Sequence, residues 1–295
     1  MLRIDIWADF ACPACYLAKP RIDQASAASG HADAIVVTYR SLELFPDAGA
    51  EPFDSFEHVP HKFGGDQAQA ARVEEHMATL ARAQGQPYAI HHPVASSFDA
   101  HRMLHLAAEH GAASEFMDAV QRDLLGEGVN AYTAAYLANA ATRAGVPTAR
   151  AKALLAGDEY ANAVRADEKA AREAGVTAVP FTILGGRLAI PGAATANAYA
   201  DAISQALSTG PAVNPPKLTI LAADTDAACD PETGTCTIPQ TPIPSPGAAP
   251  ATGAVLPGME ETQAPNLARP APGQEPHVRS SHSCVPHGPD KGHQR

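Results

Sequence analysis

The alternation of apolar and polar positions sets the first elements. Ile4-Asp5-Ile6-Trp7-Ala8 has the period of a β-strand, and from Cys15 the period changes. Cys15, Ala18, Ile22 and Ala25 recur three or four apart, one apolar face of a helix. The junction puts Cys12 at the helix N-cap and Pro13 in the first turn, where a missing N–H leaves nothing unpaired. Ala34 to Arg40 forms a second apolar run, which predicts a buried central strand. Strand, helix and strand in that order imply a parallel pair joined by a right-handed crossover.

Residues 41–63 mix turn formers with scattered aromatics and read as a connecting loop. From about Asp66 to residue 175 the pattern is helical nearly throughout. Val73, Met77 and Leu80 make one stripe, Phe116, Val120 and Leu124 another, and Leu154 and Leu155 belong to a further short helix. Gly85-Gln86-Pro87, Gly126-Glu127-Gly128 and Gly145-Val146-Pro147 punctuate them. These stripes are expected to be core. The runs at 175–184 and 187–190, joined by Gly185-Gly186, predict a β-hairpin, with Pro180 at its entry tolerated there or cis. Ala193 to Leu207 is a last helix, stopped by Gly210-Pro211. The order is β-α-β, a helical insertion, then α-β-β-α.

Composition divides the chain. Sixteen of the 26 prolines fall in residues 211–295, with few large apolar groups, and such a segment buries too little surface to offset its ordering entropy. The expected organisation is a discontinuous domain of residues 1–63 and 165–210, a helical domain of 64–164, and a largely disordered tail of 211–295 carrying a cysteine pair. A formal net charge of −11 over 295 residues argues against a nucleic-acid partner. No apolar run approaches the roughly 18 residues of a membrane span. Met1 leads straight into the first strand without a basic or apolar leader, so a cytoplasmic protein is expected.

The chemistry lies in Cys12-Pro13-Ala14-Cys15. Backbone N–H groups and the positive end of a helix dipole point at an N-cap sulfur, which favours the nucleophilic thiolate. A second thiol three residues on can resolve a mixed disulfide. Half of a zinc site is the competing reading, but no second Cys-x-x-Cys completes it, and no metal or cofactor is assigned. His101 and His105 stand at i,i+4, a metal spacing without the intervening Glu of a zincin, so a surface or groove-lining role is expected.

Cys12-Pro13-Ala14-Cys15-Tyr16 after a strand and Val176-Thr177-Ala178-Val179-Pro180 before a hairpin resemble the thioredoxin-fold oxidoreductases, and the large insertion resembles the DsbA family. Ser96-Ser97-Phe98-Asp99-Ala100-His101-Arg102-Met103-Leu104 narrows the resemblance to the FrnE-like branch. It spans residues 1 to about 208. The resemblance implies an α/β thioredoxin-like fold with a large all-helical insertion and a disordered Pro-rich C-terminal tail. It makes Cys12 the exposed nucleophile and Cys15 the resolving thiol, and Pro180 the cis-proline facing them. Pro13, Val179, Pro180 and His101 become the substrate-binding residues. Two positions depart from the pattern: Ala14, where relatives often have Trp or His, and Ser96, where they often have Asn.

The function expected is thiol–disulfide exchange, as oxidoreductase or isomerase, on disulfide-containing proteins or low-molecular-weight thiols and disulfides. One alternative is a glutathione-linked small-molecule isomerase or transferase on the same fold, although the complete cysteine pair speaks against it. The other is a metal-binding module, suggested by His282-Ser283-Cys284-Val285-Pro286-His287 and His293. Cys229 and Cys236 flank a turn-forming Asp230-Pro231-Glu232-Thr233-Gly234-Thr235 and are a candidate auxiliary redox pair.

Overall fold

The computed structural model describes residues 1–56, 67–209, 218–222 and 224–229, and the backbone of 236–237. Its centre is a five-stranded sheet in the order β2-β1-β5-β6-β8. β1 (Leu2–Ala8) pairs in parallel with β2 (Ile35–Ser41) from Leu2 opposite Ile35 to Ala8 opposite Ser41. The crossover between them is α1 (Pro13–Ala28). On its other side β1 runs antiparallel to β5 (Phe181–Leu184), so the ends of β1 and β5 nearest Cys12 meet at Trp7 and Phe181. β5 and β6 (Leu188–Pro191) form the predicted hairpin, and Gly185 and Gly186 turn it at φ of +59° and +69°, angles that favour glycine.

β2 is an edge strand, not the buried central strand that its apolar run predicts. Ile35 and Val37 pack on the core, while Val36 on the opposite face is 42% exposed. A run of β-branched residues marks a strand but does not say which neighbours it has.

Eight α-helices are described: after α1 come α2 (Gln67–Ala83), α3 (Phe98–Glu109), α4 (Ala113–Gln121), α5 (Ala134–Arg143), α6 (Thr148–Leu155), α7 (Ala161–Glu173) and α8 (Ala196–Thr209). α1 packs on α8, and α3 contacts α4, α5, α6 and α7. The insertion is not purely helical. β3 (Phe53–Asp54), inside the expected loop, pairs with β4 (Pro93–Val94), and Arg122–Gly126 forms a π-helical turn. Met77, Phe116, Val120, Leu124 and Leu154 are buried, as their stripes predict, in one core that continues into Ile4, Leu17 and Ile22.

Ordered strands appear where the proline-rich composition predicts none. β8 (Thr219–Ile220) adds to β6 in parallel. β9 (Thr225–Cys229) pairs antiparallel with β7 (Ala193–Ala194) and with β10 (Cys236–Thr237). Thr225–Cys229 has only small side chains and no proline, so it can lie flat as a strand although it has no bulk to form a core.

Candidate active site

Cys12 caps α1 in an extended conformation, and its Sγ accepts the N–H of Cys15 at 3.2 Å. Pro13 follows as the first helical residue. The cap therefore ties the two sulfur-bearing residues into one turn. Cys12 and Cys15 are free thiols, both buried. Burial, then the hydrogen bond and charge of Cys12, push the Cys15 thiol well above its ordinary value, so Cys15 holds its proton. Facing them is the loop that enters β5. The Val179–Pro180 peptide is cis, and the Val179 carbonyl lies 3.7 Å from Cys12 Sγ.

Under the cap lies a buried polar floor. Asp9, with no exposed surface, accepts N–H bonds from Leu44 at 2.6 Å and Ala11 at 3.3 Å, and its carboxylate is 3.3 Å from His101 Nε2. Its carbonyl accepts the Cys12 N–H at 3.3 Å and the Gln121 amide at 3.1 Å. Burial pushes the Asp9 carboxyl up, but the hydrogen bond and charge of His101 and the Leu44 N–H outweigh it and hold it below the usual range. Glu43 lies close by, bonded to Arg165 at 2.8 Å, and burial pushes its carboxyl up to about 7.

His101 is not a surface or groove residue. It is fully buried between Asp9 and the Phe10 ring, whose centroid is 5.2 Å away. The carboxylate of Asp9 explains the burial, since an imidazole is tolerated in a core where it is paired. His105 turns to Ser41 and Asp167, each at 3.3 Å, so the two histidines do not converge on one point.

Above the cap lies β9. Val179 and Cys229 exchange both backbone hydrogen bonds, at 2.6 and 2.8 Å. Cys229 is buried and disulfide-bonded, and the Cα of Cys236 stands opposite it in the β9–β10 ladder. Cys12, expected to be exposed, has no accessible surface, because β9 packs on α1 and occupies the open side of the loop at Val179. To one side, Tyr88 donates to Glu74 at 2.7 Å, and burial pushes the Glu74 carboxyl up to about 7.

A dithiol on a helix cap opposite a cis-proline loop fits a thioredoxin-fold oxidoreductase, and the sequence profile of the DSBA-like thioredoxin domain matches residues 3–204. The chain belongs to the DSBA-like family. A probable DsbA oxidoreductase from Streptomyces coelicolor is 33% identical, with a TM-score of 0.67 over 81% of this chain and 100% of that one. A putative protein disulfide isomerase from Nitrosomonas europaea shares the fold at 18% identity, with a TM-score of 0.52 over 70% of this chain and 96% of that one. Comparison with curated protein sequences gives no match.

For this DSBA-like chain the structure gathers Cys12, Pro13, Cys15, Val179, Pro180 and Cys229 at one place. His101 lies behind them, Cys236 is described by its backbone alone, and His282 to His293 fall outside the described residues. Among the described residues no group of three or more His, Cys, Asp or Glu is arranged for a metal ion, and no helix is long and apolar enough to cross a membrane. Sequence reasoning missed Asp9, Gln121, Arg21 and Asp226. Asp9 had a signal, a carboxylate set between apolar residues just before the Cys-x-x-Cys. The Arg21–Asp226 pair, at 2.8 Å, had none, because 205 positions separate its partners.

Proposed function

We propose that this DSBA-like protein is a thiol–disulfide oxidoreductase in which Cys12 and Cys15 exchange with disulfides of proteins or of small thiols. The observation that supports this reading most strongly is the pair of free thiols joined through the α1 cap and facing the Val179–Pro180 loop. The Cys12 thiolate attacks one sulfur of a substrate disulfide, forming a mixed disulfide and expelling the other sulfur as a thiolate that takes up a proton. Cys15 then gives up its proton and attacks the Cys12 sulfur. The Cys12–Cys15 disulfide forms and the second substrate thiolate leaves. The same steps run backwards oxidise a dithiol.

Cys15 is the later participant because its thiol is held protonated by burial and by Cys12. Once the Cys12 sulfur is in a mixed disulfide it carries no negative charge, and that obstacle to ionising Cys15 is gone. The floor of Asp9, Gln121 and the Leu44 N–H fixes the loop that presents Cys12. Cys229 enters the reading as part of an auxiliary pair with Cys236. Attack of Cys12 on the Cys229 sulfur and resolution by Cys15 would leave the tail pair reduced and Cys12–Cys15 oxidised.

Replacement Cys12→Ser tests the reading. Serine is favoured at an N-cap, so the fold is expected to survive, whereas a hydroxyl does not ionise at neutral pH and cannot take the place of the thiolate. Insulin reduction with a dithiol reductant is expected to vanish while the circular dichroism spectrum is unchanged. Retained reduction in a folded Cys12→Ser chain would refute the assignment.

A further inference from the structure

The segment Thr225–Cys229 lies where the proposed reaction needs room. Val179 offers one backbone N–H and one C=O beside Cys12, and Cys229 takes both. An extended peptide adding to this edge would use the same two groups. β9 then continues along β7, with Ala227 opposite Ala193. Its close approach requires Gly192, at φ +81°, because a Cβ there would stand 2.9 Å from the Ala227 carbonyl oxygen and 3.1 Å from the Ala228 Cβ. The groove is shaped for a strand with small side chains.

One charge pair anchors that strand. The Arg21 side chain on α1 is 9% exposed and bonds the Ala194 carbonyl at 3.1 Å and the side chain of Gln84. Its carboxylate partner among the described residues is Asp226, at 2.8 Å. The Asp226 carbonyl in turn faces His76 Nε2 at 3.3 Å. Arg21 has no second carboxylate partner among the described residues, so an occupant that supplies one gains a charge-assisted hydrogen bond in the groove.

We propose that Thr225–Cys229 is an internal occupant of a strand-binding site for disulfide-bearing peptides, anchored by Asp226 on Arg21. An incoming peptide competes for the same place, best when a carboxylate stands three residues before its cysteine, as Asp226 precedes Cys229. This rests on Cys12–Cys15 being the exchange pair. A tethered occupant acts at a high effective concentration, so a free peptide binds with the fraction of chains in which the strand has left. Small side chains on either side of Asp226 match the approach to Gly192. Arg21 is thereby a specificity residue that reads a carboxylate, and β9 sets the threshold a substrate must pass.

The test uses the full chain and three variants: Asp226→Asn, Asp226→Lys, and Asp201→Asn as a control on the exposed face of α8. Hydrogen exchange at the Val179 amide reports the strand directly, and the substrate is a peptide with the sequence Asp-Ala-Ala-Cys whose thiol is in a mixed disulfide with thionitrobenzoate. Asp226→Lys is expected to speed exchange at Val179 by about tenfold or more, from charge repulsion within the groove. Asp226→Asn is expected to lower KM for the peptide by about fivefold with kcat unchanged, and the control to match the parent. In the Asp226→Lys chain, a Lys-Ala-Ala-Cys peptide should react more slowly than the Asp-Ala-Ala-Cys peptide. Unchanged Val179 exchange and unchanged KM in Asp226→Lys would overturn the proposal. Faster Val179 exchange with no thionitrobenzoate released by any chain would support the strand's role and refute the exchange reading instead.

Discussion

Cys12 is enclosed by two layers built on different principles. The floor is made of fully buried polar contacts, local from Asp9 to Cys12 and long-range from Asp9 to Leu44, to His101 and to Gln121. The roof is the five-residue strand β9, joined by the backbone pair at Val179, the ladder to β7 and one ion pair. Removing a floor group leaves a buried charge or donor without a partner, whereas lifting the roof returns its groups to water. The exchange proposed for Cys12, with disulfides of other molecules, needs this asymmetry. The layer that positions the sulfur has to be rigid, and the layer that covers it has to come away.

The largest effect is expected from breaking the floor. Asp9→Ala orphans His101 and the Leu44 N–H, and a loss of about 3–5 kcal/mol of unfolding free energy is expected in urea titrations. The pH dependence follows from the same carboxyl. Its folded value lies below the usual one, so its contribution is full above about pH 4 and is lost as pH falls through the folded value. The stability gap between the parent and Asp9→Asn should therefore narrow on acidification below about pH 4. A gap independent of pH would show that Asp9 acts by shape and not by charge.

A smaller effect of opposite sign is expected at Glu74, beside the site. Its carboxyl is pushed up to about 7 by burial, so ionisation costs stability as pH rises from the unfolded value through 7. Glu74→Gln keeps a partner for Tyr88 and removes that cost. Its unfolding free energy should exceed the parent's by a margin that grows between pH 5 and pH 7.5, to about 3 kcal/mol at most, and vanishes near pH 4. The smallest effect belongs to the roof. Asp226→Asn should change global stability by no more than about 1 kcal/mol in the same titrations, since one ion pair with a partly exposed carboxylate is weak. A loss as large as that of Asp9→Ala would make the roof part of the core and end the comparison.

The floor and the roof also differ in how well the sequence disclosed them. Strand, cap and helix around Cys12 were legible because each rests on a local rule: alternation in β1, N-cap chemistry at Cys12, and a period near 3.6 in α1. The Gly-Gly hairpin and the core stripes of the insertion were legible for the same reason. His101 was seen but misplaced, because a histidine pair at i,i+4 says nothing of a carboxylate on another element, and Asp9 is that carboxylate. β2 was assigned to the wrong position in the sheet because apolar content does not count neighbours. β9 escaped altogether. Its residues are small, its setting is proline-rich, and its stability comes from Val179, Gly192 and Arg21, none of them near it in the chain. Composition describes what a segment can bury and is silent on a strand held by another strand's edge.

The central claim is that Cys12 forms a mixed disulfide that Cys15 resolves. The most direct measurement takes the full chain with Cys15→Ala, adds a thionitrobenzoate mixed disulfide of a cysteine peptide, and locates the adduct by intact-mass and peptide mass spectrometry. The account predicts one peptide bound per chain through Cys12, stable until a dithiol is added, while the parent chain releases the peptide and ends with Cys12 bonded to Cys15. A Cys15→Ala chain that gains no adduct at Cys12, or a parent chain that retains the adduct unresolved, would contradict it.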